Sequence, residues 1–514
     1  MFVWLMLLKA FFLPLFEIPT GSMAETLDGA FYSHSCPNCG KSYEIGKHQP
    51  QIGAPPIIEC PNCRWQQPTT TAQRDGVTLD ERNGDRIVVH GWNYDIGGLF
   101  APQRWDVVVF KNPNDPAQNY IKRLIGLPGE TIEVIDGDIW VTRPGETEPQ
   151  IARKTPQAQA SLWFSAYDHD FIPKQPAKNN VPYNVERLNE WRTYHPRFVA
   201  LADGAGWSDL GTRTPQFRGD GKQRGEIQFV TEPGDSKQPG SINDQCGYNA
   251  YMASVDQRSR TLTPFREPAL SRVTDTRVST CARFVSGSGH VELSTSKYYN
   301  HFLARVYSDG RVTLECENRN NGERLTWGEA KVALGSAEHR IALSHADYEV
   351  QVLIDDRIVL RSPASYTPDS KHARTVSGFS TESVVRIAAE GGDVDLSHLK
   401  VERDVHYASR APGQTTPIGQ GVQNRPITLR SDAYFVMGDN SVNSHDARWW
   451  GESELGPHLR PRLTEGTYDI GTVPADQMLG RAFLVYCPGF HPVPGMPATW
   501  FNLLPDLGRV RWIH

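Results

Sequence analysis

Two short cysteine motifs constrain the fold of this 514-residue chain more than any other feature of its sequence. Cys36 and Cys39 enclose the first Cys-Pro-Asn-Cys segment, and Cys60 and Cys63 enclose a second one twenty residues later. Each Cys-x-x-Cys turn presents two thiolates on one side, so that two turns together complete a tetrahedral site. Disulfide-forming or redox motifs are the alternative. The spacing favours a zinc ribbon over residues 31–75, with one structural zinc and no position open to substrate.

The remaining cysteines are scattered along the chain, and their spacing leaves disulfides and buried thiols equally open. They are Cys246, Cys281, Cys316 and Cys487. The net charge of −6 gives no indication of a nucleic-acid partner, because such proteins usually carry a basic face. A mean hydropathy of −0.48 excludes a polytopic membrane protein.

The first sixteen residues form an apolar run in which Lys9 is the only charge. Sixteen helical residues span about 24 Å, somewhat less than the hydrocarbon core of a bilayer. We predict a membrane anchor over residues 1–17; a cleaved secretory signal is the alternative, although no basic segment precedes the run. Because Lys and Arg are missing between Lys9 and Lys41, we expect a single-pass protein of the cytoplasmic membrane whose catalytic domain is extracytoplasmic.

Most of the chain has the pattern of short β-strands. Arg86–His90, Asp106–Phe110 and Thr131–Ile135 are rich in β-branched residues and are separated by Gly and Pro clusters. Residues 191–407 contain many short alternating runs, which predict a β-sandwich resembling the concanavalin and laminin-G type. Two connecting segments are predicted to be irregular, a Pro-rich loop over 149–190 and a linker over 408–425.

Three further segments carry residues suited to covalent chemistry. Ser22 follows the apolar run in IPTGSM, Lys122 lies in YIKR, and Ser444 lies in GDNSVNSHDAR. A serine hydroxyl needs a base to become a good nucleophile. A lysine whose pKa is lowered by about three units through burial is substantially neutral near pH 7–8 and can be that base. Each segment alone is weak evidence for catalysis, because such residues are more often found in turns and on solvated strands.

In their amino-acid sequences and in their order along the chain, these segments resemble those of the type I signal peptidases, the membrane-anchored Ser/Lys peptidases of bacteria. The four matching boxes are IPTGSMAETL, RWDVVVF, YIKRLIGLPGE and GDNSVNSHDAR. Three positions depart from the family pattern, since Glu25 replaces a proline, Trp105 a glycine and Ala447 a serine. The resemblance covers three stretches of the chain, about Phe12–Leu27, Arg86–Arg143 and Tyr434–Ala482.

The resemblance implies a role for each matching residue. Ser22 corresponds to the nucleophile and Lys122 to the general base. The Thr20 hydroxyl and the Ser22 amide correspond to the oxyanion hole, and Ser444 to the serine that orients the lysine. The implied structural residues are Asp439, Asn440, Asp446 and Arg448. The implied walls of the substrate pockets are Ile18 and Ile121.

The implied fold is mainly β, with an antiparallel peptidase core interrupted by the zinc ribbon and the β-sandwich. This discontinuous core is expected over 18–30, 76–148 and 426–514. The implied activity is removal of signal peptides from exported preproteins after small residues of the Ala-x-Ala type, without a catalytic cofactor. Expected partners are signal peptides, the lipid bilayer and a carbohydrate or protein ligand of the sandwich.

Two other functions remain open at this stage. One is a membrane-tethered glycan- or protein-binding protein built on a degenerate peptidase scaffold. The other is a Ser/Lys processing peptidase with a narrow substrate range. The presence of both Ser22 and Lys122 argues against the binding protein on a degenerate scaffold.

Overall fold

The structure, a computed structural model, describes most of the chain. The described residues are 13–47, 57–68, 79–91, 94, 101–174, 197–201, 205–231, 241–249, 253–255, 262–264, 271–376, 383–409, 419–488, 491–492, 502–504 and 507–514. Within them the protein is mainly β, and all the paired strands are antiparallel.

Twelve strands lie in the first part of the described chain. They are β1–β12, at Leu15–Glu17, Phe31–Ser35, Ser42–Gly46, Ile57–Glu59, Gln66–Pro68, Asp80–Arg82, Arg86–His90, Val107–Lys111, Asn119–Gly126, Thr131–Ile135, Asp138–Thr142 and Gln150–Ile151. The described α-helices are short and lie further along the chain. They are α1–α3, at Pro156–Ser161, Ser370–Val376 and Arg460–Thr464.

The middle of the described chain contributes strands β13–β29. Their bounds are Phe164–Asp168, Phe198–Ala200, Trp207–Ser208, Gln216–Phe217, Arg224–Phe229, Ala253–Val255, Leu262–Pro264, Thr276–Ser286, His290–Lys297, Asn300–Tyr307, Arg311–Asn318, Glu323–Lys331, His339–Ala346, Glu349–Ile354, Arg357–Arg361, Val385–Glu390 and Asp393–Arg403. The last part contributes β30–β36, at Ile427–Thr428, Ala433–Met437, Val473–Pro474, Met478–Cys487, His491–Pro492, Asn502–Leu504 and Arg511–Trp512.

One sheet brings together the beginning and the end of the chain. Its strand order is β1-β7-β33-β8-β9-β31-β32, and β36 pairs with β33. Strand β8 has apolar side chains on both of its sides. Val107 and Val109 pack into one hydrophobic cluster, and Val108 and Phe110 pack into another. Both faces are therefore covered, and a polar side chain in the middle of this sheet has little access to water. A smaller sheet of order β12-β11-β10-β30 packs beside it.

Two larger sheets form a β-sandwich around one shared core. Their orders are β15-β16-β29-β20-β25-β26-β27, with β13 also on β29, and β14-β17-β28-β21-β22-β23-β24. The alternation predicted from sequence is present in β26, where Val350, Val352 and Ile354 are buried and the residues between them are half-buried. This periodicity of two is what one buried sheet face requires.

A buried ionic cluster joins the sandwich to the smaller sheet. Lys297 Nζ lies 3.1 Å from the Asp138 carboxylate and 2.6 Å from that of Asp275. Lys154 Nζ lies 2.5 Å from Asp347 and 2.6 Å from Asp404. Removing one partner of a buried ion pair is strongly destabilising, because the other charge is then left buried and unpaired. The sandwich is therefore fixed against the rest of the protein rather than tethered to it.

Two of the predicted segment boundaries need correction, one for the anchor and one for the Pro-rich loop. The expected anchor over 1–17 extends too far, because Leu15–Glu17 form strand β1 and pair with β7; residues 1–12 lie outside the described part. The expected loop over 149–190 contains β12, α1 and β13. Its side chains find apolar partners that are remote in sequence, since Phe164 and Tyr167 are buried and β13 pairs with β29.

Candidate active site

Ser22 lies in a tight turn directly after β1. The Ala24 amide donates to the Gly21 carbonyl at 3.1 Å, and the Leu27 amide donates to the Met23 carbonyl at 2.9 Å. Met23 and Leu27 are both 0% exposed and pack in the cluster that covers one face of the sheet. The apolar residues on the C-terminal side of the serine therefore hold the turn in place, while Ser22 itself stays partly exposed.

Lys122 approaches this serine from β9. Its Nζ lies 2.5 Å from Ser22 Oγ, although the two residues are 100 positions apart in the chain. Lys122 is 4% exposed and stands opposite Val108 in the register between β8 and β9. The sequence prediction that these two side chains meet is thus matched by their geometry.

The environment of Lys122 favours the neutral amine. Burial lowers the pKa of Lys122 from its usual value of 10.5 to about 8, and the carboxylates of Asp446 and Asp439 offset part of that effect. Desolvation has this direction because it disfavours the charged form of a base. A lysine with a pKa near 8 has a substantial neutral fraction at neutral to mildly alkaline pH, as a general base requires.

The glycine that begins the GDN segment lies against the turn that carries Ser22. Strand β31 pairs with β9, with Met437 opposite Arg123, so that Gly438 emerges next to the lysine. A Cβ atom at Gly438 would lie 2.3 Å from the Ser22 carbonyl oxygen and 2.3 Å from Ser444 Oγ. Such a contact is far inside van der Waals distance, so only glycine permits this approach.

Asp446 and Arg448 form a fully buried ion pair behind the site. The Arg448 guanidinium donates to both Asp446 oxygens, at 2.9 and 2.8 Å, and Asp446 accepts the Gly438 amide at 2.9 Å. Burial alone would raise the pKa of Asp446, but the charge of Arg448 and these hydrogen bonds outweigh it and hold that pKa below its usual value. The pair supports the chain around Gly438 without touching the Ser22 hydroxyl.

Asp439 pairs with Arg123 in the interior of the protein. The Arg123 guanidinium donates to both of its oxygens at 2.8 Å, and both side chains are 0% exposed. Arg123 also donates to the Trp105 carbonyl at 2.7 Å. Arg123 is not among the residues predicted from sequence, because an arginine next to a lysine on a strand is ordinarily solvated. Its position inside the YIKR box is the one sequence signal for it.

Asn440 joins the turn that carries Ser22 to the GDN segment. Its side-chain amide donates to the Gly21 carbonyl at 2.9 Å, and its backbone amide donates to the Ser22 carbonyl at 3.2 Å. The same carboxamide pairs with Asn249, a residue that the sequence motifs did not identify. Asn440 therefore contacts both the Ser22 turn and the segment around Asn249.

The other expected site residues make fewer contacts with Ser22 and Lys122. Thr20 is exposed two residues before Ser22, and Ile121 is half-buried beside the same apolar cluster as Ile18. Ile18 is 2% exposed, which leaves little of its side chain to line a pocket. Ser444 Oγ is buried beside Asp446 and makes no hydrogen bond to Lys122, so the expected bond between them is not formed in this conformation.

The four ribbon cysteines converge on one point. Their sulfur atoms all lie within 4.8 Å of one another, with 3.6 Å between Cys36 and Cys63 and 3.7 Å between Cys39 and Cys60. Four thiolates at 2.3 Å from a tetrahedral zinc would be separated by about 3.8 Å, so the donor set and its dimensions fit that ion. The cluster could hold a structural metal ion.

None of the eight cysteines forms a disulfide, and all eight lie within the described residues. The scattered cysteines Cys246 and Cys316 are buried, and Cys281 and Cys487 are half-buried. Membrane crossing is not apparent in the described helices, since each of them is too short or too polar to span a bilayer.

Known proteins similar to this chain fall into two groups. Signal peptidase I of Rickettsia canadensis (strain McKiel) and that of Rickettsia typhi (strain ATCC VR-144 / Wilmington) are each 55% identical to it over 47 residues. Those residues make up 9% of this chain and 18% of each relative, so the match spans less than a fifth of the curated relatives.

Among solved structures, the carbohydrate-binding module CBM66 from Bacillus subtilis is similar over 40% of this chain and 95% of its own, with 14% identity and a TM-score of 0.24. The laminarinase from Rhodothermus marinus is similar over 48% of this chain and 98% of its own, with 12% identity and a TM-score of 0.28. At scores this low, these similarities support no further statement about this chain.

The model of one protein family matches the chain in two stretches, residues 69–193 and 351–487. Together they make up just over half of the sequence. They include Lys122 and the whole GDN segment, and the family is described as signal peptidase, peptidase S26. The chain therefore belongs to the signal peptidase family, peptidase S26.

Proposed function

We propose that this protein is a serine endopeptidase that removes signal peptides from exported preproteins after small residues of the Ala-x-Ala type. Ser22 is the nucleophile and Lys122 is the general base. The observation that carries the proposal is the 2.5 Å contact between Lys122 Nζ and Ser22 Oγ, made by a lysine that is 4% exposed. Membership of the signal peptidase family supports the substrate class.

The proposed reaction begins with proton transfer from Ser22 Oγ to the neutral Lys122 Nζ. The serine oxygen attacks the scissile carbonyl, and the Ser22 amide and the Thr20 hydroxyl stabilise the oxyanion that forms. The ammonium of Lys122 then gives its proton to the leaving amine, which leaves an acyl ester on Ser22. Lys122 next accepts a proton from water as that water attacks the ester. Lys122 then returns the proton to Ser22 Oγ as the signal peptide leaves as a free acid.

Membrane attachment is part of the proposal and rests on the sequence of residues 1–12, which is apolar except for Lys9. Strand β1 begins at Leu15, and Ser22 follows it within seven residues. The nucleophile would therefore lie near the bilayer, where a membrane-inserted signal peptide presents its cleavage site. The four-cysteine cluster is proposed to bind one structural zinc without a role in the reaction.

The test is cleavage of a preprotein with an Ala-x-Ala site by the full-length protein in detergent. We expect Ser22→Ala and Lys122→Ala to abolish cleavage while their circular dichroism spectra match the wild type. Matched controls are Ser453→Ala, at an exposed serine, and Lys111→Met, at an exposed lysine on β8, and both should cleave normally. Full cleavage by either dyad variant would refute the assignment.

Substrate range separates the remaining candidates. A general signal peptidase cleaves many unrelated preproteins, whereas a dedicated processing peptidase cleaves one class of precursor. Comparing rates for a generic preprotein and a panel of pilin-type precursors measures this difference. A wild-type protein that neither cleaves nor becomes acylated would instead support a binding protein on a degenerate scaffold.

A further inference from the structure

A short turn from the middle of the chain lies directly against the nucleophile loop. Gly247–Asn249 form a single 3₁₀ turn, far in sequence from both the serine and the lysine. Tyr248 donates its hydroxyl to the Ala30 carbonyl at 2.9 Å and packs with Ala24 and Phe31. The turn is therefore docked on the segment that follows Ser22.

The last residue of this turn pairs with the GDN asparagine. Asn249 Nδ2 donates to Asn440 Oδ1 at 2.7 Å, and Asn440 Nδ2 donates to Asn249 Oδ1 at 2.9 Å. Asn443 Nδ2 also donates to Asn249 Oδ1, at 2.8 Å. A reciprocal amide pair fixes the plane of both carboxamides, because each oxygen and each nitrogen has a defined partner.

The orientation of Asn440 matters because the same residue holds the serine turn. Its Nδ2 donates to the Gly21 carbonyl and its backbone amide to the Ser22 carbonyl. Asn440 is 3% exposed, so water cannot easily replace a lost partner. Without Asn249, the Asn440 carboxamide could rotate and weaken its bond to Gly21.

We propose that Asn249 is a positioning residue for the peptidase reaction: through Asn440 it fixes the backbone on which Ser22 is presented to Lys122. This inference rests on the proposed function. It gives the inserted part of the chain a direct role in the active site, since Asn249 lies outside both stretches that match the family model.

The primary variant is Asn249→Ala, measured in the full-length protein by cleavage of the preprotein and by the rate at which an acylating inhibitor modifies Ser22. We expect kcat and the acylation rate to fall about tenfold to a hundredfold with little change in KM, because small misplacement of reacting groups has effects of that size. Asn249→Asp keeps the shape and the acceptor but removes the donor to Asn440, and we expect an intermediate loss.

A double-mutant comparison distinguishes positioning from general destabilisation. Asn249→Ala in an Asn440→Ala background should have almost no further effect on kcat, because its partner is already gone. The matched control is Asn318→Ala, which removes another side-chain amide pair, 3.3 Å long, between Asn318 and Asn300 within the sandwich. This control should leave kcat unchanged, and thermal unfolding of every variant shows whether it is folded.

The outcomes separate this inference from the function on which it rests. If the wild type is active and Asn249→Ala keeps full kcat, Asn249 has no positioning role and the inference is overturned while the proposed function stands. Equal, additive losses in the two backgrounds would also overturn it. A wild type that does not become acylated would overturn the proposed function and this inference together.

Discussion

Lys122 Nζ and Ser22 Oγ are 2.5 Å apart, and the lysine that makes this contact is almost completely buried on a sheet covered on both faces. The serine turn is held by apolar residues on one side and by Asn440 on the other. Contact and burial have different consequences. In the proposed mechanism, the contact provides a path for the proton, and the burial determines at which pH the amine can accept it.

The first prediction concerns the pH dependence of acylation. Because the pKa of Lys122 is about 8, about a tenth of the amine is neutral at pH 7 and about nine tenths at pH 9. The rate at which an acylating inhibitor modifies Ser22 should therefore rise about tenfold over this range and level off above it. Stopped-flow or quenched reactions with the wild type measure this rate, and a rate constant that does not change between pH 6 and pH 9 would disagree with a lysine base.

The second prediction concerns stability. The folded protein releases the Lys122 proton near pH 8, whereas the unfolded chain keeps it to about 10.5. Between these values the unfolded chain binds more protons, so the free energy of unfolding of the wild type rises with pH. Lys122→Met avoids the burial of a charge and should be more stable than the wild type by up to roughly 3 kcal/mol at pH 7, with the difference shrinking toward pH 10.5. Urea unfolding of both proteins at pH 7 and pH 10 tests this; a difference that is the same at both pH values would count against it.

The third prediction concerns Gly438. In Gly438→Ala, the new methyl group would meet the Ser22 carbonyl and the Ser444 hydroxyl at 2.3 Å. We expect the turn to shift, with a loss of stability of about 1–3 kcal/mol and a fall in kcat of at least tenfold. The matched control is Gly451→Ala, where the nearest atom to the added Cβ is 3.9 Å away. If both variants cleave the preprotein equally well, Gly438 is not required for close approach.

The fourth prediction concerns the cysteine cluster. Protein purified without chelator should contain one zinc per chain by elemental analysis, because four thiolates at these separations form a closed tetrahedral site. Cys39→Ser should lower both the zinc content and the Tm, since metal binding and folding are coupled in such units. Cys281→Ser, outside the cluster, should retain the metal. Metal-free protein with an unchanged Tm would exclude a structural zinc.

Much of the site was predictable because its chemistry lies in short continuous segments. The boxes around Ser22, Lys122 and Gly438 match the boxes of the signal peptidase family, and this resemblance implied which side chains should meet. The pairing of Arg123 with Asp439 was not predictable in the same way, because the two residues are 316 positions apart and neither is unusual in its own segment. Asn249 belongs to no motif, and its role depends entirely on where the inserted chain docks.

The two errors in the fold have a common physical origin. Leu15 and Phe16 end an apolar run, and only the pairing of Leu15–Glu17 with β7 distinguishes a strand from the end of an anchor. Residues 149–190 have a loop-like composition, yet Phe164 and Tyr167 become buried when β13 pairs with β29. Local composition could not predict either strand, because each one forms by pairing with a strand that is distant in the sequence.

The most direct test of the account is to identify the residue that an acylating inhibitor modifies, and the rate of that reaction, by intact-mass and peptide mass spectrometry. We predict one adduct per chain, located on Ser22, absent from Ser22→Ala and formed about a hundredfold or more slowly by Lys122→Met. An adduct on a different residue, or one that forms on Ser22 at the same rate without the lysine, would contradict the Ser22–Lys122 mechanism.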